Sequence, residues 1–366
     1  MYAAARAAIG EAPLATSPLL KAIVDRSERY TSDRDRLSTP ANKTGDLAAR
    51  AVFFTIADAM KISIPLGELI GRGALPSARP LRVIDLGAGC GAMSLGMIET
   101  IASLPEPERP ALVITAIDRD AAALGIAAAA VRGLAATRKL DVTITTRVDD
   151  ATSAKLADAD LVIAGTLLNE LPAAARLAVV ERALAAVGDD GAVILIEPAL
   201  RETSRALHEL RDEAIGRGAH VFAPCVRAIA PCPSLARPED WCHEDRAIKL
   251  PPKTAELSRL THLRDGGMKF SYLVLRRGPL ALVEEPGAWR IVGAPRTQKG
   301  KLEVMGCNDA GWVPLRLLKR NRTDANREIE RADRGDVVIV PAPVDGERVE
   351  VTADTPVERR EPSKLR

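Results

Sequence analysis

Apolar residues recur at helical spacing over residues 47–60 (LAARAVFFTIADAM), and the chain reads as helical up to about residue 78, where Pro65, Gly71, Gly73, Pro76 and Pro80 break the pattern. From residue 81 the texture changes. Short β-branched runs alternate with Ala-rich helical stretches: LRVIDL at 81–86, ALVITAID at 111–118, VTITTR at 142–147, ADLVIAG at 159–165 and AVILIEP at 192–198. Continuous apolar strands separated by helices predict a parallel sheet buried on both faces, with the carboxyl ends of the strands gathered along one edge, where ligands bind. A helix over 202–217, a strand ending in HVFAPC at 220–225 and an alternating strand KFSYLVLRR at 269–277 follow. After residue 289 short strands separated by turn residues (WRIVGAP, KLEVMGCN, WVPLRLL, DVVIV) predict a small β-module, barrel-like in texture.

The expected organisation is therefore a helical region over 1–79, an α/β domain over 80–278 with an insertion over 225–262, a β-rich module over 279–345, and a polar, disordered tail over 346–366. Composition narrows the class. Hydrophobic residues make up 47% of the 366, but aromatics only 3%, so the core is built of Ala, Leu, Val and Ile. No apolar run approaches the roughly 20 residues of a membrane span, and an odd count of five cysteines argues for reduced thiols. The expectation is a bacterial cytoplasmic protein, or a mitochondrial matrix one if eukaryotic. Net charge is only +2, yet residues 246–334 carry 19 Lys and Arg against 10 Asp and Glu. Such asymmetry suits either a basic face turned to an anionic partner or a solvated surface.

Asp85, Gly87, Gly89 and Gly91 form D-x-G-x-G-x-G between a strand and a helix. Glycine permits positive φ and close backbone approach there, and the helix start offers unpaired N–H groups to a ligand. The run also satisfies a loose dinucleotide fingerprint through Gly87, Gly89 and Ala92. An acid at each of three successive strand ends favours S-adenosylmethionine instead: Asp85 for its amino-acid part, Asp118 for the ribose hydroxyls, and Asp149 or Asp150 for the adenine amine. Cys90, inside the turn, reads as a small buried residue. The fourth strand runs into GTLLNELP, which makes Asn169 and Glu170 the weak catalytic candidates; Glu170 reads equally as a helix-start carboxylate beside Pro172. An Asn/Asp-Pro-Pro-aromatic run, which would mark methylation of base amines, does not occur in the sequence. Six parallel strands with a late antiparallel seventh resemble the class I S-adenosylmethionine-dependent methyltransferase sheet, a Rossmann-like α/β fold.

The other four cysteines are spaced Cys225-x6-Cys232-x9-Cys242-x64-Cys307. The spacing is neither C-x3-C-x2-C nor the paired C-x2-C of a zinc ribbon. A four-thiolate [4Fe-4S] cluster, a zinc site, with His243 as a possible replacement ligand, and unligated buried thiols all stay open on spacing alone.

The segments GAHVFAPCVRAIAPCPSLARPEDWCH, MKFSYLVLRR and WRIVGAP…KGKLEVMGC resemble the ribosomal small-subunit methyltransferase-like family of bacteria and mitochondria, over roughly residues 80–340. The resemblance implies a class I methyltransferase fold, a [4Fe-4S] cluster held by Cys225, Cys232, Cys242 and Cys307, and a role in small-subunit assembly and translation with ribosomal RNA as partner, not DNA or membrane. It leaves open whether methyl transfer occurs. The competing expectations are an S-adenosylmethionine-dependent methyltransferase of a protein or small molecule with structural zinc, and a scaffold without chemistry.

Overall fold

A computed structural model describes residues 1–31, 40–264 and 267–363. The chain divides into two compact units, both discontinuous: residues 1–63, 76–187 and 246–268 form the first, and 64–75, 188–245 and 269–366 the second.

In the first unit, β1 (Leu81–Leu86), β2 (Leu112–Asp118), β3 (Val142–Val148) and β4 (Ala159–Gly165) pair in the order β3-β2-β1-β4, all parallel. The crossovers are helices Ala92–Ala102 and Ala121–Arg138. β1 and β4 are buried nearly throughout, as their apolar runs require; β3 is largely exposed, which explains its threonines and arginine. Ala121–Arg138 is long and apolar enough to cross a membrane by composition, but it is the β2–β3 crossover and buries eight residues, among them Ala123, Ile126 and Val131. Leu19, Ile23, Val52 and Phe53 of the N-terminal helices form one core with Ala123 and Ile126. The amphipathic run expected as one helix is four joined pieces: Lys43–Ala49, a π-helical turn at Arg50–Phe54, Thr55–Asp58 and a 3-10 turn at Ala59–Ile62. The last piece packs so closely on Ala92–Ala102 that a Cβ on Gly96 would lie 1.7 Å from the Ala59 carbonyl oxygen.

The second unit contains β5 (Val187–Pro198), β6 (His220–Ala223), β7 (Glu244–Arg246) and β8 (Met268–Arg276), with β8 antiparallel to both β5 and β6 and also paired with β7. Parallel pairing in one unit and a late antiparallel strand lodged between the fifth and sixth in the other are the features of a class I methyltransferase α/β architecture.

The β-module follows: β9 (Ala288–Ile291), β10 (Arg296–Gln298), β11 (Lys301–Asn308), β12 (Gly311–Leu318), β13 (Val337–Ile339), β14 (Val344–Asp345), β15 (Arg348–Val351) and β16 (Glu358–Arg360). Its order is β14-β15-β12-β11-β9-β13-β16, with β10 on β11, so the sheet is open and not a closed barrel. Trp289, Ile291, Val304, Leu315, Leu317 and Val338 build its core. The tail expected to be disordered after residue 345 instead supplies β15 and β16. Val349, Val351 and Val357 bury in this core, while Arg348 and Glu350 pair along the outside. Residues 364–366 of that expected tail lie outside the described residues.

Leu315 is fully buried at the middle of this sheet. Leu315→Ala is expected to lower the unfolding free energy by about 2–5 kcal/mol, measured by denaturant titration.

Candidate functional site

The glycine turn is held open by carboxylates. Gly87, Gly89 and Gly91 all take left-handed φ, at 71°, 52° and 87°. A Cβ on Gly87 would lie 2.8 Å from Leu167 Cδ1 and one on Gly91 3.0 Å from Ala127 Cβ, so these two glycines serve packing. At Gly89 a Cβ would meet only Arg50 Nη2, at 3.5 Å, so this residue faces open space. Asp118 anchors the turn: its Oδ2 accepts from Gly89 N at 2.8 Å and its Oδ1 from Asp120 N at 2.9 Å. Asp120 in turn caps Ala121–Arg138, accepting from Ala122 N and Ala123 N, while its Oδ2 takes Arg50 Nη1 at 2.6 Å.

Asp85, at the end of β1, is 1% exposed. Its Oδ2 accepts from Ser94 Oγ at 2.5 Å and Ser94 N at 3.2 Å, but Oδ1 has no hydrogen-bond partner among the described residues. Burial pushes this carboxyl up to about 6, against the Ser94 hydrogen bonds that pull it down. Asp150 is exposed and accepts from Thr152 N at 2.7 Å and Thr152 Oγ1 at 2.6 Å, a local turn contact. Asp149 accepts from Asp150 N and pairs with Arg147. Cys90 is buried, and burial raises its thiol to about 11, which suits a packing residue and not a nucleophile.

Asn169 and Glu170 lie on a 3-10 turn, Leu168–Glu170, just after β4. Thr166 before them holds a left-handed φ of 59°, a strained conformation for a β-branched residue. Glu170 Oε1 accepts from Tyr30 OH at 3.1 Å, and Tyr30 OH accepts from Arg26 Nη2 at 2.8 Å, with Arg26 fixed by a buried pair to Asp46. The N-terminal helices, in which the sequence showed no chemistry, thus bring Arg50 to the glycine turn and Tyr30 to Glu170. The available signal was a lone Arg50 inside the apolar run LAARAVFF.

A second centre lies wholly within the second unit. Cys225, Cys232, Cys242 and Cys307 line one cavity together with His208, Arg211 and Arg290. Cys225 follows β6, Cys232 precedes a 3-10 turn at Pro233–Leu235, Cys242 precedes β7, and Cys307 lies on β11 opposite Arg290 of β9. The loop is pinned through its backbone. Cys232 N donates to Asp212 Oδ2 at 2.7 Å, Ser271 Oγ donates to the Cys242 carbonyl at 2.7 Å, and Arg205 reaches the Arg237 and Asp240 carbonyls. Arg290 is a buried hub: Nη1 donates to Glu68 at 2.6 Å, and Nη2 to Glu244 at 2.8 Å and to Tyr272 OH at 3.0 Å. Arg211 pairs with Asp212, and its cation lies in the same cavity lining as the Cys225 thiol. Burial raises the thiols of Cys225, Cys242 and Cys307, and neighbouring sulfurs raise each further; the Arg211 cation opposes this at Cys225 and Cys307. Burial lowers His208 to about 4. His243 is outside the cavity lining and stacks on Trp241 at 5.5 Å. Among the described residues, no group of three His, Cys, Asp or Glu side chains is arranged to hold a metal ion.

The family of the mitochondrial small ribosomal subunit protein Rsm22 matches residues 66–338. The chain belongs to the Rsm22 family. Among solved structures, this Rsm22-family chain is similar to a magnesium protoporphyrin IX methyltransferase from Synechocystis PCC 6803 with bound S-adenosylmethionine, at 12% identity and a TM-score of 0.38, over 70% of this chain and 96% of that one. It is similar also to a S-adenosylmethionine-dependent methyltransferase from Leishmania major, at 14% identity and a TM-score of 0.39, over 70% and 81%. A third is TrmN from Thermus thermophilus, at 18% identity and a TM-score of 0.32, over 59% and 52%. No curated protein matches the chain.

Because Asp118 supplies two charge-assisted hydrogen bonds, one to the glycine turn and one to the start of the crossover helix, Asp118→Ala is expected to lower the unfolding free energy by about 1–3 kcal/mol in denaturant titration; an unchanged midpoint would show that the turn holds itself.

Proposed function

We propose that this chain is an S-adenosylmethionine-binding, methyltransferase-like protein of the small ribosomal subunit that also carries a four-cysteine [4Fe-4S] cluster. The observation that carries the cofactor reading is the buried Asp85, whose Oδ1 is without a partner among the described residues, beside a glycine turn open at Gly89. An orphaned, buried carboxylate oxygen wants a cationic donor, and the ammonium of a bound amino-acid group is one. S-adenosylmethionine would supply an activated methyl group, so the chain's task is positioning more than acid–base catalysis. Asp85, Gly87, Gly89 and Gly91 would hold the amino-acid end. Asp118 would hold the ribose while keeping its turn contacts, and Asp150 would face the adenine. Asn169 and Glu170 are the residues that would face a methyl acceptor.

For the cluster, support comes from the convergence of four thiols on one cavity containing two buried guanidinium groups. A cube of iron and sulfide spreads its four ligand sulfurs over four irons, so the thiols need not close on one point as they would around a single zinc ion. Ribosomal RNA as partner is supported by the family and by charge placement. Many arginines of the β-module are consumed in pairs such as Arg316–Glu350 and Arg322–Glu330. Arg296, Lys299, Lys319 and Arg320 are exposed and enter no ion pair among the described residues; Lys319 N donates to the Gly300 carbonyl, which brings these basic residues to one end of the sheet. Phosphate contacts would use such a corner. The family description favours the mitochondrial setting over the bacterial cytoplasm.

Two measurements test this reading. Calorimetric titration should detect S-adenosylmethionine binding at neutral pH, with affinity falling about tenfold per pH unit below about 6. Free Asp85 titrates near 6, and its proton must leave before the ammonium can pair, so binding strengthens as pH rises to that value and then levels. A flat profile would remove Asp85 from the site. Iron and acid-labile sulfide analysis on protein purified without oxygen should give about four of each per chain; one zinc without sulfide would replace the cluster by a structural zinc site.

A further inference from the structure

We infer that Arg50, which lies outside the family match, forms the carboxylate subsite of the glycine-turn pocket and makes it selective for a ligand with an intact amino-acid group. The inference rests on the S-adenosylmethionine reading above. The mouth of the first unit is hostile to an anion: Asp85, Asp118 and Asp120 all converge on the turn or its flanking helix. Yet S-adenosylmethionine brings a carboxylate beside its ammonium, and that carboxylate needs a cation close to the turn.

Arg50 answers this need by its position. It begins the π-helical turn Arg50–Phe54, and a widened turn of this kind is frequent at functional positions. The three residues after it, Ala51, Val52 and Phe53, are fully buried, so the helix itself is fixed in the core while the guanidinium emerges, 20% exposed, at the turn. Nη1 is braced by Asp120. Nη2 lies 3.5 Å from the Cβ position of Gly89, the glycine of the turn that packs against nothing else, and has no hydrogen-bond partner among the described residues. Neighbouring groups do not replace it. Arg26 is tied up by Asp46 and Tyr30, and Arg119 is exposed beyond β2, acting on Asp150. A guanidinium braced on one side and open on the other is pre-organised to receive a second carboxylate.

The test compares S-adenosylmethionine with its decarboxylated counterpart by calorimetry on the full chain. Wild-type protein is expected to prefer the intact ligand by about 10- to 100-fold. Arg50→Gln should lose that preference by weakening the intact ligand alone, while Asp120→Asn, which removes the brace but leaves the cation, should keep it. Equal affinity of wild-type protein for the two ligands overturns the inference without reference to any variant, as does an Arg50→Gln protein that weakens both ligands alike or neither. Should wild-type protein bind neither ligand, the cofactor reading itself fails and this subsite with it, an outcome distinct from the others.

Discussion

The carboxylate of Asp118 is the contact on which the geometry of the first unit turns. It sits at the end of β2 and grips two backbone N–H groups, one in the glycine turn after β1 and one at the start of the crossover helix. Through Asp120 the same chain of bonds continues to the helix cap and to Arg50. Strand end, turn, helix start and N-terminal arginine are thereby set by consecutive charge-assisted contacts, the first ones to backbone N–H groups that a turn or helix start leaves unpaired and the last to the Arg50 guanidinium. A turn with three left-handed glycines has high conformational freedom when unfolded; fixing it through one side chain limits the places where that freedom could return.

The second unit solves an opposite problem. Four thiols and two guanidinium groups are buried around one cavity, and one of the cations, Arg290, is nearly surrounded by acceptors from Glu68, Glu244 and Tyr272. Buried ion pairs contribute little net stability, because desolvation offsets much of the attraction, but removing a single partner is expensive. Such a hub therefore specifies one arrangement more than it strengthens it: β7, β8, β9 and the segment carrying Glu68 meet correctly only when the arginine is satisfied. Cys307 lies directly opposite Arg290 in the sheet, so the register of β9 on β11 sets the place of the fourth thiol as well.

Much of this was legible in the sequence, for identifiable reasons. β1, β4 and β8 are buried on both faces and read as unbroken apolar runs, and the glycine turn was visible because only glycine tolerates its φ values. β15 was not legible. Its four residues alternate Arg, Val, Glu, Val in a polar, Pro-containing stretch; the neighbouring β14 is only two residues long, and the other partner, β12, is distant in sequence and pairs in a parallel register that no local pattern announces. Arg50 and Tyr30 were missed for a related reason. Helical spacing identifies the buried face of an N-terminal helix but says nothing about which distant turn its polar residues will meet. For the cysteines, spacing left cluster, zinc and free thiols open; their convergence on one cavity with Arg211, His208 and Arg290 is a tertiary fact.

The energetics of Asp85 set it apart from the other carboxylates of the first unit. Raising a buried carboxyl from its ordinary 3.8 to about 6 corresponds to roughly 3 kcal/mol against the ionised form at neutral pH. The sign is unfavourable to the empty protein: with the folded value raised, this group destabilises the fold above pH 6, and the penalty is relieved as pH falls towards the unfolded value. Ser94 satisfies one oxygen, and the other has no partner among the described residues, whereas both oxygens of Asp118 and of Asp120 are bonded. Asp118 and Asp120 show that the local backbone can furnish donors where a carboxylate is structural. On the proposed reading, the Asp85 oxygen that has no partner among the described residues would take its donor from outside the chain, and the cost of leaving it bare would be recovered when a cationic group binds.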